Sequence, residues 1–331
     1  MQLFRISVPK DDAWSVIQKL GKHKTAHFVD LNKNVPAKDL SRGYTLRIKA
    51  CNETERRLNF LIAKSKELGV DVIRSKDEMV FEKEVQVICN NRNKSKEMLF
   101  ESLEADIIEK EKYVMSQTKL ITDMQANINK QVDLVHVLTY VARQSNSLAQ
   151  LQVGGGFLGE QEVPLLSEGG FQAGINISFV AGTIKAGEEP IRMQRMLFRV
   201  TRGKALTHFS VPFVQDKTEK VVYMVVFQEG AMIRDRIQKV CDSFMGSRFE
   251  IPGLGDNLFA QLEEVRRQVQ TENELKKVSK RELANYLRSI NGDHMSPEKP
   301  SQLEVIQQFV VRERVTYTTL NMLSYKTQND Q

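Results

Sequence analysis

The stretch 100–142, FESLEADIIEKEKYVMSQTKLITDMQANINKQVDLVHVLTYVA, has the most regular pattern in the chain. Core positions recur there at alternating steps of three and four through six heptads, with polar residues at Lys110, Gln117 and Gln131. Such spacing is typical of a long α-helix that packs against another helix. At about 1.5 Å per residue the helix would extend roughly 65 Å, more than a small domain buries. The stretch therefore predicts a rod that needs a helical partner.

A second stretch, residues 258–290, repeats the same alternation with a polar middle. The residues between the two stretches are expected to fold on their own and to return the chain in the opposite direction. We therefore expect the two helices to pair antiparallel within one chain. The alternative is a parallel homodimer through either helix.

The segment between these helices alternates strand and helix patterns. It opens with the glycines of 154–156, which we interpret as a flexible joint. The expected order is strand, helix, strand, strand, helix, strand, at 176–184, 190–202, 205–213, 221–228, 231–244 and 247–251. This βαββαβ order is that of a ferredoxin-like split unit.

The two ends of the chain are expected to form a second lobe. Alternating apolar residues predict strands at 2–8, 24–31 and 79–89, with a helix between the first two and another from about Thr45. Residues 291–300 (NGDHMSPEKP) predict a helix break, and a last helix is expected over 302–323.

The fold class is therefore α+β: two small α/β lobes of ferredoxin-like type at the ends of a long antiparallel helical coiled-coil rod. The expected parts are a terminal lobe (1–95 and 301–331), the rod (96–150 and 256–300) and a middle lobe (151–255).

Composition narrows the function classes. The 331 residues carry 48 basic and 42 acidic side chains, a net charge of +6, which is too weak an excess to indicate nucleic acid. The cysteines Cys51, Cys89 and Cys241 are far apart in the sequence, which argues against a disulfide framework or a zinc site. No apolar run approaches the roughly 20 residues that span a bilayer.

No group of residues indicates catalysis. Gly154, Gly155 and Gly156 lack the Lys-Ser or Lys-Thr of a phosphate-binding loop. His23 and His27 fall across a helix end and a strand start, without a nearby cysteine or carboxylate cluster that would make a metal site. The sequence predicts no catalytic residue, no metal and no cofactor, and hence a protein that is not an enzyme.

Basic residues of the middle lobe are the candidate binding site. Arginines spaced three, four and three place guanidinium groups on one helical face, and such groups bind phosphates or carboxylates. The candidates are Arg192, Arg195, Arg199, Arg202, Lys204, Lys217, Lys220, Arg234, Arg236 and Lys239. The alternatives are a solvated face with partners on its own helix, a contact with an acidic protein, and a contact with anionic lipid.

Several motifs resemble subunit a of vacuolar-type proton ATPases. The stretches that carry the resemblance are Leu20-Gly21-Lys22 with AHFVDLN (26–32), FVAGTI (179–184), RMLFRVTRG (195–203), VVFQ (225–228), RIQKVC (236–241) and YTTLN (317–321). They cover nearly the whole chain in order. The family's membrane half and its intramembrane arginine have no counterpart here, and 291–300 interrupts a helix that is continuous in the family.

The resemblance implies a non-catalytic stator arm that links the membrane sector of a rotary pump to the peripheral stalks of its ATP-hydrolysing sector. Implied partners are peripheral-stalk subunits E and G, subunits C and H, the membrane sector and possible phosphoinositide headgroups on the middle lobe. The implied location is the cytoplasmic face of a vacuolar or acidic-organelle membrane. The alternative is a shortened, stand-alone coiled-coil scaffold or tether derived from subunit a.

Overall fold

The computed structural model describes residues 5–23, 26–30, 43–74, 77–92, 96–153, 177–228, 230–244, 246–251, 257–292 and 299–323. Its helices are α1 (Lys10–His23), α2 (Thr45–Glu67), α3 (Glu78–Arg92), α4 (Lys96–Val153), α5 (Glu189–Thr201), α6 (Ala231–Ser243), α7 (Asn257–Asn291) and α8 (Gln302–Leu323). Its strands are β1 (Ile177–Lys185), β2 (Ala205–Phe209), β3 (Phe213–Gln215), β4 (Thr218–Gln228) and β5 (Ser247–Phe249).

The chain divides into two compact units. Unit 1 comprises Met1–Lys119 with Ser279–Gln331, and unit 2 comprises Leu120–Val278. Helices α4 and α7 each contribute to both units. The separate rod and the three-part division expected from the sequence stay predictions, and the glycine joint at 154–156 lies outside the described residues.

Unit 1 is helical in its described residues, and α8 lies at its centre. This helix contacts α1, α2 and α3. It buries residues on several sides, including Leu303, Val310 and Leu320, while α2 contributes the fully buried Leu58 and Leu61. Each such side chain stabilises the fold by about 1.5–3 kcal/mol relative to its exposed state.

Arginine–glutamate pairs connect the helices of unit 1. Between α2 and α4, Arg47 lies 3.0 Å from Glu101, and Glu111 lies 3.0 Å from Arg56 and 3.1 Å from Arg57. Helix α8 makes further pairs, Arg314 with Glu55 of α2 and Arg312 with Glu82 of α3. The carboxylate of Glu111 is buried, so its charge depends on these partners.

The strands predicted for the terminal lobe are wrong where the structure describes them. Residues 79–89 belong to α3, and residues 5–9 and 26–30 form neither helix nor strand. In α3 the apolar residues Phe81, Val85 and Ile88 also fit a helical stripe, and the stretch is rich in glutamate and lysine, which favour helices. Helix α3 contacts α8, and Val85 of the helical stripe is buried, whereas Met79 and Val87, which only the strand pattern would bury, are exposed. The described residues of the terminal lobe therefore form helices and no strand.

Unit 2 contains one antiparallel sheet with the strand order β2-β4-β1-β5, and β3 extends the pairing along β4. Strand β1 pairs with β4 along its whole length, from Ile177 opposite Gln228 to Lys185 opposite Lys220. Helices α5 and α6 connect β1 to β2 and β4 to β5. The βαββαβ element order is confirmed, except that the stretch predicted as one strand at 205–213 ends at Phe209 and pairing resumes at Phe213.

Both faces of this sheet are covered by apolar side chains. Alternate residues of β4 point to opposite faces, as strand geometry requires. One face packs against α5 and α6 through Val221, Tyr223, Val225, Phe227, Met193, Leu197, Ile237, Val240 and Cys241. The other packs against α4 and α7 through Val222, Met224, Val226, Val137, Leu138, Val141, Leu258 and Leu262. Residues outside 151–255 therefore close the second core.

Helices α4 and α7 run antiparallel in unit 2. In unit 2, Gln131 Nε2 donates to Glu272 at 2.7 Å, and Lys276 donates to Gln125. Between these two contacts the residue number increases along α4 and decreases along α7, which confirms the intrachain antiparallel pairing. In unit 1 the rings of Tyr113 and Tyr286 lie 4.3 Å apart. Polar and aromatic side chains therefore interrupt the apolar contacts between the two helices.

Gly182, in the centre of β1, lies so close to neighbouring atoms that a side chain would not fit there. A Cβ atom there would lie 2.6 Å from the hydroxyl of Tyr223 and 2.4 Å from the carbonyl oxygen of Ser247. Both neighbours are held by the sheet, since Gly182 stands opposite Tyr223 on one side and Arg248 on the other. The glycine of the FVAGTI stretch is thus a packing requirement of the sheet.

Candidate functional site

The arginines of α5 lie on the side of the helix that faces away from the sheet. Met193, Leu197 and Thr201 are buried on the inner side, while Arg192, Arg195, Arg199 and Arg202 are exposed. Pro190 lies in the first turn, where its missing N–H costs nothing.

Arg202 departs from the predicted helical face. It caps the C-terminus of α5 with φ 53°, and Gly203 follows with φ +78°. The N–H of Gly203 donates to the carbonyl of Phe198 at 3.1 Å, which closes the last turn. Three arginines therefore share the face of the helix, and the fourth lies at its end.

The α5 arginines differ in their partners. Arg192 lies 3.1 Å from Glu188, one turn earlier, so the solvated-face alternative describes this residue. Arg195, Arg199 and Arg202 form no ion pair with any described residue. Their charges are therefore not neutralised by the part of the chain that the structure describes.

Helix α6 adds basic residues beside α5. The two helices are in contact, and Ile237, Val240 and Cys241 point into their shared core. Arg236 and Lys239 lie on the exposed side of α6, Arg234 lies in its first turn, and Lys204 follows α5. We name as the basic face the eight residues Arg192, Arg195, Arg199, Arg202, Lys204, Arg234, Arg236 and Lys239.

The structure separates the other two candidates from the basic face. Lys217, with φ 63°, lies in the turn between β3 and β4. Lys220 points to the opposite side of the sheet, where its Nζ lies 2.8 Å from the buried carboxylate of Asp133 on α4 and 3.1 Å from Gln215. Lys220 therefore neutralises an internal charge, and its assignment to an anion-binding surface is corrected.

Exposed apolar side chains accompany the basic face. Ile191, Phe198 and Met232 are 53%, 65% and 70% exposed. Ile191 and Phe198 were missed by the sequence analysis; they are seven residues apart on α5, next to the arginines, and this spacing is the signal that could have identified them. Met196, which the helical pattern assigns to the buried side, is 44% exposed. The surface therefore combines cations with apolar groups.

The histidines have no arrangement that indicates catalysis in the described residues. His136 stacks on Phe213 with ring centroids 4.1 Å apart, and burial lowers its pKa. His23 and His208 are exposed. The described ranges contain neither a cluster of three metal-ligating side chains nor a helix long and apolar enough to cross a bilayer.

Known proteins resemble this chain along most of its length. The "Vacuolar proton translocating ATPase 100 kDa subunit" of Dictyostelium discoideum is 25% identical over 274 residues, which is 78% of this chain and 31% of that protein. The "V-type proton ATPase subunit a3" of Arabidopsis thaliana is 26% identical over 344 residues, 98% of this chain and 38% of that protein. The chain thus spans about a third of the length of these relatives.

One solved structure also aligns with this chain, the cytoplasmic N-terminal domain of subunit I, a homologue of subunit a of V-ATPase. The alignment covers 97% of the residues of this chain and 91% of the residues of that structure. The sequence identity is 12% and the TM-score is 0.38, a likeness too loose to define the fold. The family match is more extensive, since residues 18–331 fit the profile of the V-type ATPase 116kDa subunit family. This chain belongs to the V-type ATPase 116kDa subunit family.

Proposed function

We propose that this chain acts as a non-catalytic stator arm of a vacuolar-type proton ATPase. In this role it would link the membrane sector to the peripheral stalks of the ATP-hydrolysing sector and resist their rotation. Family membership over residues 18–331 supports a place in the complex. The proposed partners are peripheral-stalk subunits E and G, subunits C and H and the membrane sector, at the cytoplasmic face of a vacuolar or acidic-organelle membrane.

The observation that carries the proposal is the antiparallel pairing of α4 and α7. In unit 2, Gln131 with Glu272 and Gln125 with Lys276 connect the helices at two successive levels. Paired helices resist bending better than a single helix, which suits a part that bears torque. The predicted coiled-coil rod with two lobes belongs to this proposal.

The described surface offers little that would support catalysis. One concavity of that surface, about 520 Å³, is an open groove along α7 lined by Ala260, Glu263, Glu264, Arg266, Arg267 and Gln270. Enzyme sites are usually enclosed and mostly apolar, with a few convergent polar groups. An interaction protein fits this surface better than an enzyme.

Isolation of the complex would test the stator role. The protein would be tagged in its source organism, crosslinked and purified. We expect crosslinks from this chain to peripheral-stalk subunits, together with recovery of the membrane sector. Recovery with stalk subunits but without the membrane sector would replace the stator with the stand-alone tether, and recovery with neither would contradict both.

We also propose that the basic face docks on an anionic membrane surface. Arg195 and Arg199 are exposed and form no ion pair with described residues, so no internal contact must be broken. Phe198 and Met232 could enter the boundary between headgroups and acyl chains, where apolar side chains beside cations are favourable. Each basic residue near such a surface contributes on the order of 1 kcal/mol.

Charge reversal would test this docking. Arg195→Glu with Arg199→Glu should weaken sedimentation with phosphatidylcholine vesicles containing a phosphoinositide by at least about tenfold. Arg266→Glu with Lys277→Glu, on exposed positions of α7, changes the net charge equally and should have little effect. Equal loss in both variants would show a non-specific charge effect, and no loss in the first would leave the face to an acidic protein partner.

A further inference from the structure

Glu313 of α8 is a buried carboxylate bonded to α1. Its side chain is 3% exposed. Trp14 Nε1 donates to Oε2 and Gln18 Nε2 donates to Oε1, each at 3.1 Å. The two donors are four residues apart on one face of α1, so both oxygens of the carboxylate are bonded to the same helix. Docking of α1 on α8 is therefore centred on one titratable group.

Burial of Glu313 favours its neutral form. Burial raises the pKa of Glu313 to about 7, although hydrogen bonds from Trp14, Tyr317 and Gln18 and the charge of Arg312 act in the opposite direction. From α2, the thiol of Cys51 faces the carboxyl, and burial raises the pKa of that thiol to about 12, so it stays neutral. The two arginines that flank Glu313 on α8 are paired, Arg312 with Glu82 of α3 and Arg314 with Glu55 of α2.

We propose that α1 docks on α8 as a proton-sensitive latch, closed when Glu313 is protonated and weakened when Glu313 is ionised. When α1 leaves, water reaches the carboxyl, which then takes up a proton less readily than in the docked state. Protons therefore stabilise docking. The gain is complete below the pKa of an exposed glutamate, about 4.3. It decreases as the pH rises through about 7 and is absent above that value.

Hydrogen exchange on the full chain measures this latch directly. After correction for intrinsic exchange, the protection of α1 amides should be about tenfold greater at pH 6 than at pH 8, because one proton is linked to docking. Amides of α5, in unit 2, provide the internal reference. Trp14 is the chain's single tryptophan, so its fluorescence should change over the same pH range.

Three variants separate Glu313 from other sources of pH dependence. Glu313→Gln should abolish the change in α1 protection, whereas His23→Gln, at the exposed histidine that ends α1, should retain it. Trp14→Phe removes one donor to the ionised form and should move the midpoint to higher pH. This variant tests the latch even if Glu313→Gln does not fold. Equal protection at pH 6 and pH 8 in the wild type, or loss of the dependence in His23→Gln, would overturn the proposal.

Discussion

The two units connect their elements by different kinds of contact. Unit 2 places apolar side chains on both faces of a sheet, and its fully buried residues include Leu197, Tyr223 and Ile237. Unit 1 also has an apolar core, but the seams between α2, α4 and α8 are lined by arginines and glutamates. Packing is nearly independent of salt, whereas ion pairs are screened by it. The two units should therefore respond differently to the same perturbations.

The largest expected effect is the loss of a core side chain in unit 2. Leu197 of α5 is 1% exposed and packs against the sheet. Leu197→Ala should lower the free energy of unfolding of unit 2 by about 2–5 kcal/mol, because it removes buried methyl groups and leaves a cavity. Hydrogen exchange of β1 and β4 amides is the measurement, since a chain of two units has no single unfolding free energy.

Phe198→Ala, at the next position on the same helix, is the matched control. Its ring is exposed, so the change should stay within about 0.5 kcal/mol. If Phe198→Ala destabilised unit 2 as much as Leu197→Ala, α5 would not present the face that the structure shows.

Gly182→Ala should have the next largest effect. The added methyl group would meet the hydroxyl of Tyr223 and the backbone of Ser247, so β1 or β5 must shift, at a cost of about 1–3 kcal/mol. Gly21→Ala is the contrasting change in unit 1, because this glycine lies within α1 and its Cβ would meet nothing within 4 Å. That change should stabilise α1 by up to about 1 kcal/mol. Thermal unfolding that lowers the midpoint in both variants would contradict this difference.

The sequence predicted unit 2 better than unit 1 for a physical reason. In unit 2 the two longest strands, β1 and β4, are short apolar runs that end at charged or polar residues, a pattern typical of strands buried on both faces. In unit 1 the stretch 79–89 satisfied both the strand period and a helical stripe. Only the presence of α8 as a packing partner, with no described strand nearby, decides between them.

The candidate site shows the same limit. Spacing alone placed Arg192, Arg195 and Arg199 on one exposed face, because helical geometry is local. The sequence could not show that Lys220 pairs with Asp133, since those residues are 87 positions apart in the chain. Glu313 was also missed, because a lone glutamate in a helix gives no sign of burial until Trp14 and Gln18 are brought to it.

Apart from the control variants, the smallest expected effect is the one that distinguishes the ion-pair seam from an apolar seam. Arg57 lies 3.1 Å from Glu111 and 3.8 Å from Glu104, with its side chain 17% exposed. Arg57→Met keeps the aliphatic packing and removes the charge. Glu111 retains Arg56 as a partner, so unit 1 should lose only about 1–2 kcal/mol, between the values for buried and surface pairs. Arg267→Met, in an exposed pair with Glu264, should change stability by less than about 0.5 kcal/mol.

Salt then shows whether the charge of Arg57 accounts for its effect. Raising NaCl from about 0.1 M to about 1 M shortens the Debye length from about 10 Å to about 3 Å. In the wild type this should lower the protection of α2 amides while leaving β4 amides nearly unchanged. In Arg57→Met the salt effect on α2 should be smaller, because one of the screened contacts is already gone. If α2 in the wild type and in the variant responded equally to salt, the contribution of Arg57 would lie in its aliphatic packing, and the contrast between the units would rest on the remaining pairs.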